Sequence, residues 1–535
     1  MSVTPPPTPY RAGFGRAVIE GWAPGLGMLG WGEPGNVTEA TDEPLMCRAM
    51  ALLHEPTGHQ LVYALAELCF VSKSLRSAVA ARLAETHGLA DHQLMLTATH
   101  NHSGPGGFND ALWYDVLSGG SSPELFDSLV ETLVQAATQA LDARQPAHLY
   151  LRDGPLPSTE DFSINRAPEA YQRNPEVDTP ATEASLPTHD TMTVLRVDTA
   201  DGAPLGLISW LGLHGTCVHG DRRGVRFDHK GAAARQLELE RPEDFVAIFA
   251  QGPAGDQSPN TRWSPRRRRR IGAHDDDLDH RAAIADLQVR TADQIATDCR
   301  TDDALTGPLQ TALEEVDFGQ VDVTPEYTAT GKPYRTEGPH VGLAFTLGTA
   351  EGPGPLRPIR HLHQLAVRVV RRLRGPDAHP RRFRFVEILD DDVQFFRFAR
   401  MRHRWFPGWL FPDIYGLRSR FLAGEVTIDE MLPRHLPVQV IRLDRLALVG
   451  IAGEPTRVAG LRVQHSVGQT LERLGVRQVV VNGYANAYSG YVVTEHEYQG
   501  QGYEAGATLF GPHTLAAWQT ALDRVAAQLP SPTAG

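Results

Sequence analysis

Lysine is almost missing from this 535-residue chain: only Lys73, Lys230 and Lys332 occur among its 51 basic residues, and the rest are arginine. That bias reads as the mark of a GC-rich coding sequence, and no chemistry is drawn from it. A basic excess is missing too. The 64 acidic residues leave a formal charge of −13 at pH 7, so the counterion release that drives nucleic-acid binding has no source, and nucleic acid is excluded as a general partner. No apolar run approaches the ~20 residues of a membrane span. Met1 to Pro9 is polar and proline-rich, with neither a charged n-region nor an apolar h-region, so neither a transmembrane segment nor an export signal is read. Cysteine is scarce: Cys47, Cys69, Cys217 and Cys299 lie far apart with no CxxC pair. That usage argues against a disulfide framework or a Cys-ligated zinc and for free thiols in a reducing compartment, with a cytoplasmic location as the expectation.

What is present suits a globular protein. With 41% hydrophobic and 21% charged residues, the chain can bury the core of one large domain or two average ones, and wholesale disorder is excluded. No repeat of 20 to 50 residues occurs, and apolar stretches of helical and strand type alternate, which predicts a mixed α/β fold. One helix is expected from Lys73 to His87, stopped by Gly88. Another opens with Ser122 as N-cap and Pro123 at its first position, with Leu125, Leu129, Val130, Leu133, Val134, Ala137 and Leu141 on one face. Buried strands are expected at Gln93 to Thr97, Leu205 to Leu211, Phe245 to Ala250, Leu446 to Ile451 and Val479 to Val481. Two stretches read as surface insertions. In Ser264 to His280 an arginine run meets several aspartates, and a solvated loop is expected there, not a metal site. The second is the Gly/Pro-rich segment Gly352 to Pro358.

Each strand runs out into a polar cluster. TATHNHSGPGG, from Thr97 to Gly107, carries His100 and His102, which point to one side in extended backbone and can ligate a metal or shuttle a proton; a His-x-His pair alone also fits two hydrogen-bonded histidines. LHGTCVH, from Leu213 to His219, offers His214 as a ligand or as a core histidine, and the segment Asp228 to Gly231 follows it. QGPAGDQSPN, from Gln251 to Asn260, holds Ser258 in a turn that lacks the glycines of a GxSxG nucleophile elbow. GIAGEPT, from Gly450 to Thr456, places Glu454 just before a helix, where a first-turn acid is also favoured by the helix dipole. The last cluster, Asn482 to Gly511, carries Tyr484, Tyr488, Tyr491, Tyr498 and Tyr503.

Taken together and in order, TATHNHSGPGG, SINRAP at Ser163 to Pro168, GDQSPN, GEPT with a following VAG, and GYANAYSGYVVTEHEYQGQGYEAGATLFGP resemble the catalytic domain of the neutral, non-lysosomal ceramidases, from about Gly13 to about Thr514. The resemblance implies a zinc amidase that cleaves the N-acyl amide bond of ceramide to fatty acid and sphingoid base. It implies Zn²⁺ ligands at His100, His214, Glu454 and Tyr491, with Tyr488 as the alternative to Tyr491, and His102, Arg166, Ser258 and Tyr503 around the scissile amide. Two neutral imidazoles and a carboxylate leave positive charge on zinc, and the metal lowers the pKa of a bound water toward ~7. His102 is then the general acid/base, Arg166 and Tyr503 stabilise the oxyanion, and Ser258 is a nucleophile or, as expected beside zinc, a group that positions water and substrate. The expected architecture is one large mixed α/β catalytic domain over residues 10 to 530. The C-terminal β-sandwich that follows it in many family members is not expected, since the chain stops at Gly535 soon after TLFGPHTLAAW. The family's common export signal is not seen either, and the loop around the arginine run departs from the segment expected after GDxSPN. Other readings stay open: the same chemistry on another N-acyl lipid or a small N-acyl amine, a catalytically inactive metal-binding homologue, or a metal-free serine hydrolase. Oligomeric state is not legible.

Overall fold

The structure, a computed structural model, describes residues 8–531 except 33–34, 118, 158–161, 178–188, 350, 353, 355–356, 375–383, 389–392, 396–419 and 421–422. Most of the N-terminal segment read for an export signal, and three positions of the Gly/Pro-rich segment, lie outside the described residues. Eight strands form the main sheet: β1 (Tyr10–Ile19), β2 (Leu45–His54), β3 (His59–Ala66), β4 (Leu94–Ala98), β5 (Gln145–Pro155), β6 (Thr191–Thr199), β7 (Pro204–Leu211) and β8 (Val246–Gln251). Their spatial order is 8-7-6-5-1-2-3-4, with the short strand Ala304–Leu305 beside β5. A second sheet holds β9 (Leu309–Asp317), β10 (His435–Leu443), β11 (Leu446–Gly450) and β12 (Gln478–Asn482) in chain order. The pairs β3 with β4, β7 with β8 and β11 with β12 are parallel, and the other pairs in the two sheets are antiparallel. The longer helices are α1 (Lys73–His87), α2 (Pro123–Asp142), α3 (His229–Leu239), α4 (Asp277–Thr297), α5 (Arg360–Arg374), α6 (Arg457–Leu471) and α7 (Thr514–Ala527).

Strand alternation dictates the layering. In β2, Ala49 and Ala51 face the core shared with α1 and α2, while Met50 and Leu52 face the second sheet through Ile441, Leu443, Leu446 and Leu448. In β11 the roles repeat, with Ala447 and Val449 packed with Val463 of α6 and Trp518 of α7. The result is helices, sheet, sheet, helices. α3 and α4 cover the far end of the first sheet through Leu237, Ile284 and Ile295 against Met192, Leu207 and Phe249. Fully burying one such leucine or isoleucine stabilises by ~1.5–3 kcal/mol.

Local signals set the helix ends. Ser72 accepts from the Leu75 N–H at 3.2 Å to open α1, and Gly88, at φ 64°, closes it in a conformation glycine adopts without a Cβ clash. Ser122 accepts from Leu125 N–H at 3.3 Å with Pro123 at the first position of α2. The expected strands are present with bounds moved by one residue at most. The segment Ser264 to His280 differs from its reading as a solvated loop: Arg262–Ser264 pairs with Arg269–Ile271 as a hairpin, and Asp276 caps α4 by accepting from Leu278 and Asp279 N–H. Asp277 and His280 are buried there, and Asp277 pairs with His219 at 3.1 Å. Cysteine pairing is absent among the described residues, and all four thiols are free.

Candidate active site

The loops that leave β4, β7, β8, β11 and β12 meet at one place, and backbone contacts hold them there. Asn101 and Gly215 form a parallel bridge, and any side chain at 215 would overlap the His100 carbonyl oxygen. Gln251 Nε2 donates to Thr99 O (2.9 Å) and Leu213 O (2.6 Å), tying the ends of β4, β7 and β8 together. Lys230 is buried and donates to Leu211 O and Ala250 O, each at 2.9 Å. Burial alone pulls its ammonium down to about 7. Asn482 joins the sheets by donating to Thr97 Oγ1 and accepting from Tyr63 and Trp210. Two residues of strand on each side, Glu454–Pro455 and Tyr491–Val492, pair in parallel so that Glu454 lies directly beside Tyr491.

His100, His214 and Glu454 converge. The two imidazole Nε2 atoms lie 3.4 and 3.3 Å from Glu454 Oε2, and Tyr491 Oη is 3.4 Å from His214 Nε2. The tautomers follow from the bonding: His100 Nδ1 faces Cys69 O at 2.9 Å and His214 Nδ1 faces Ala254 O at 2.7 Å. A carbonyl only accepts, so both Nδ1 atoms carry a proton, and Nε2 is the ring atom that each imidazole, when neutral, offers to a metal. Burial drives His100 down to about 3 despite the facing carboxylate, so its imidazole is neutral. Lone pairs aimed at a carboxylate oxygen repel unless a cation stands between them. Two imidazoles anchored through Nδ1–H to carbonyls, a carboxylate and a phenol oxygen therefore fit a divalent metal ion. Tyr488 donates to Glu454 Oε1 and stacks on Phe70 at 3.9 Å, and Tyr484 donates to Glu454 Oε2 at 3.2 Å and stacks on His100 at 4.2 Å. His100, Tyr484 and Asn486 are non-glycine residues with φ of 63°, 56° and 65°.

The other four expected residues gather beside this group. His102 Nε2 is 3.0 Å from His100 Nε2, which places it on the same side as the proposed ligands, and its buried Nδ1 has no hydrogen-bond partner among the described residues. Arg166 is buried and donates to Tyr491 Oη at 2.5 Å, to Glu504 Oε1 at 3.0 Å and to Glu351 Oε2 at 2.7 Å. It reaches this position because Ile164–Asn165 pairs with Gln257–Ser258 and Arg166 N–H donates to Asp256 O. Tyr503 lies edge-on to Tyr491, with ring centres 5.7 Å apart, and stacks on Phe345. Ser258 is fully buried, and its hydroxyl donates to Glu351 Oε1 at 2.6 Å while accepting from Asn260 N–H.

Glu351 is the residue that sequence reasoning missed. It sits just before the segment read as a surface insertion, yet it is 1% exposed and accepts from Arg166, Ser258, Thr216 and Asn260. Burial works to raise its carboxyl, but Arg166 foremost, with the Ser258 and Asn260 donors, keeps it well below the usual range. The one signal for it was an acid placed directly before a glycine-proline turn. His229 was also missed; its Nε2 holds His214 O at 2.9 Å while Gln288 meets its Nδ1. Although Cys217, Asp228 and His229 also lie together, both ring nitrogens of His229 are thus engaged, and Asp228 serves as the cap of α3.

The chain is similar to proteins of a known family. The family model described as neutral/alkaline non-lysosomal ceramidase, N-terminal, matches residues 10–374 and 421–520. A neutral ceramidase of Pseudomonas aeruginosa is 31% identical over 518 residues, covering 96% of this chain and 71% of the relative. One from Mycobacterium tuberculosis is 31% identical over 522 residues, covering 94% and 75%. Among solved structures, a ceramidase complexed with C2 superposes with a TM-score of 0.79 at 30% identity, covering 99% of this chain and 77% of the other. The crystal structure of the Pseudomonas aeruginosa neutral ceramidase gives 0.76 at 29% identity, covering 99% and 76%. With a family model spanning most of its length and relatives of this similarity, the chain belongs to the neutral/alkaline non-lysosomal ceramidase family.

Proposed function

We propose that this protein is a zinc-dependent amidohydrolase that cleaves the N-acyl amide bond of ceramide to fatty acid and sphingoid base, acting as one catalytic unit over about residues 10 to 530. The observation that carries the reading is the convergence of His100 Nε2 and His214 Nε2 on the Glu454 carboxylate, each ring anchored through Nδ1–H to a carbonyl, with Tyr491 Oη 3.4 Å from His214 Nε2. The nitrogen and oxygen donors suit Zn²⁺, and the four free cysteines suit the reducing, cytoplasmic compartment that this reading keeps for the protein. Bound there, zinc supplies Lewis acidity toward the amide carbonyl and lowers the pKa of water toward ~7. Arg166, held by Glu351 and Glu504, keeps a fixed guanidinium beside Tyr491 and Tyr503, where negative charge develops on the carbonyl oxygen. His102, whose Nε2 lies 3.0 Å from His100 Nε2, stands on the metal side and is assigned proton transfer to the leaving amine.

Ser258 acts in this reading as a positioning group. Its hydroxyl points at Glu351, a carboxylate held too acidic to serve as an effective base, and not at a histidine. A metal-free serine hydrolase is disfavoured on the same ground. The test is metal analysis of the purified protein, chelation and Zn²⁺ restoration, with release of fatty acid and amine measured across ceramides, other N-acyl lipids and small N-acyl amines. Activity that survives complete removal of metal refutes the mechanism. Turnover of small soluble amides with none of any ceramide refutes the substrate and keeps the chemistry, and a stable acyl adduct on Ser258 within the cycle refutes its positioning role.

A further inference from the structure

Helix α5 carries the sequence RHLHQLAVRVVRRLR. Its inner side is settled: His363 and Val367 are buried, and the helix packs on the turn Leu343–Leu347. Its outer side is not what a soluble surface favours. Leu362, Leu365, Val369 and Leu373 are 66%, 53%, 48% and 79% exposed, so half of the eight large hydrophobic side chains left exposed among the described residues fall on this one helix. At ~100° per residue the four share a sector of about 80°, and the exposed Arg368 and Arg372 occupy the sector beside it. From Arg357 to Arg374 the sequence has six arginines and no acidic residue, in a chain whose net charge is −13. An apolar stripe flanked by guanidinium groups matches the interfacial zone of a bilayer, where leucines enter the acyl boundary and arginines meet lipid phosphates.

We infer that α5 is a docking surface for an anionic lipid membrane, on which the helix lies in the plane of the interface. The occupant follows from charge complementarity: the basic stripe stands out against an acidic protein, and the apolar stripe runs parallel to it along the same face. The position suits an enzyme that takes its substrate from a bilayer. The turn beneath α5 carries Phe345, whose ring stacks on Tyr503 at 5.1 Å. Arg360 lies nine positions after Glu351, at most about 30 Å of extended chain. Only this last link, to a lipid amide, rests on the proposed function; the docking surface itself does not.

The test is flotation of the purified, metal-loaded protein with vesicles of phosphatidylcholine alone, or of phosphatidylcholine mixed with phosphatidylglycerol, with no substrate present. Binding to the anionic vesicles, weakened by salt, is expected, with little binding to the neutral ones. The pair Arg368→Glu and Arg372→Glu, and separately the pair Leu365→Ser and Val369→Ser, should each lower partitioning at least about ten-fold. Turnover of a short-chain soluble amide and the melting temperature should stay unchanged in both. Absence of wild-type flotation, or flotation of both variant pairs like wild type, overturns the inference. So does a wild-type dimer that the same substitutions split, since a second copy would then be the occupant. Because the vesicles hold no substrate, a failure of the amidase reading leaves this result standing, and a failure here leaves the amidase reading standing.

Discussion

Replacing Glu351 by glutamine tests the assembly of the site at its least expected residue. The carboxylate collects four donors: Oε1 accepts from Ser258 (2.6 Å), Thr216 (2.9 Å) and Asn260 (2.9 Å), and Oε2 accepts from Arg166 Nη1 (2.7 Å). An amide of the same shape has one oxygen and one NH₂. If the NH₂ faces Arg166, an ionic bond is replaced by two opposed donors; if it faces the other side, it confronts Asn260 Nδ2, already fixed by Thr216 O at 2.8 Å. Either orientation removes one bond to a charged group, worth about 1.5–3 kcal/mol. Where that bond holds Arg166 and Ser258 for the transition state, the upper figure corresponds to a loss of roughly 100-fold in kcat/KM. The loss should fall mainly on kcat, measured with a short-chain ceramide analogue, while metal content stays at wild-type level, because Glu351 touches none of the proposed ligands directly. Glu351→Asp keeps the charge one methylene short and should recover part of the rate. The reasoning is refuted if folded, metal-loaded Glu351→Gln retains kcat/KM within about three-fold of wild type, or if Glu351→Asp is no better than Glu351→Gln.

Tyr491→Phe should weaken zinc affinity and activity more than Tyr488→Phe, measured by chelator competition: Tyr491 Oη faces His214 and Arg166, whereas Tyr488 only donates to the far oxygen of Glu454. Loss of such an outer bond costs about 10-fold to 100-fold in metal affinity; equal losses in the two variants would contradict the assignment. Gly215→Ala should lose metal and activity together, because the added methyl overlaps the His100 carbonyl oxygen and must displace that residue; a fully loaded, active variant would show that the bridge does not set the site. Acid should destabilise the fold through His280, which is buried against Pro259 O and pulled from 6.5 down to about 4, chiefly by burial. Its folded pKa lies below its unfolded one, so its contribution is complete above about pH 6.5 and is lost as pH falls toward 4, by up to about 1.4 kcal/mol per pH unit. In urea titrations at a series of pH values, His280→Gln should show a shallower acid loss than wild type; identical slopes would exclude His280 as the source.

What could be read in the chain beforehand was what local chemistry decides. Ser72, Gly88, Ser122 and Pro123 bound their helices because caps act over three or four residues. The strand ends were visible because each apolar run stops at glycine, proline or histidine. The pairing of Glu454 with Tyr491 had no such signal: two-residue parallel strands far apart in sequence leave no periodicity, and only the order of motifs shared with a family pointed there. Glu351 was hidden for a related reason. Its partner Arg166 is 185 positions away, and a buried carboxylate beside a glycine-proline turn looks like any surface acid until the arginine is in place. In Ser264 to His280 the arginine run drew the reading toward solvent, although Asp276 ahead of the apolar Ile284, Leu287 and Ile295 was a helix start open to inspection.

Three side chains in the walls of the site, His100, Tyr484 and Asn486, occupy left-handed backbone that glycine would adopt freely. Such conformations cost of order 1–3 kcal/mol each and persist only where surrounding structure enforces them. The site is therefore a standing load on the fold, carried by the sheets and helices around it. Glycine would relieve that load and still lose stability: at 486 it would strip Arg76 Nε and Leu96 N–H of the Oδ1 they share and Gln439 of its Nδ2 donor, and at 100 it would leave the space of a buried ring empty. The strain is therefore held in place by the side chains that suffer it.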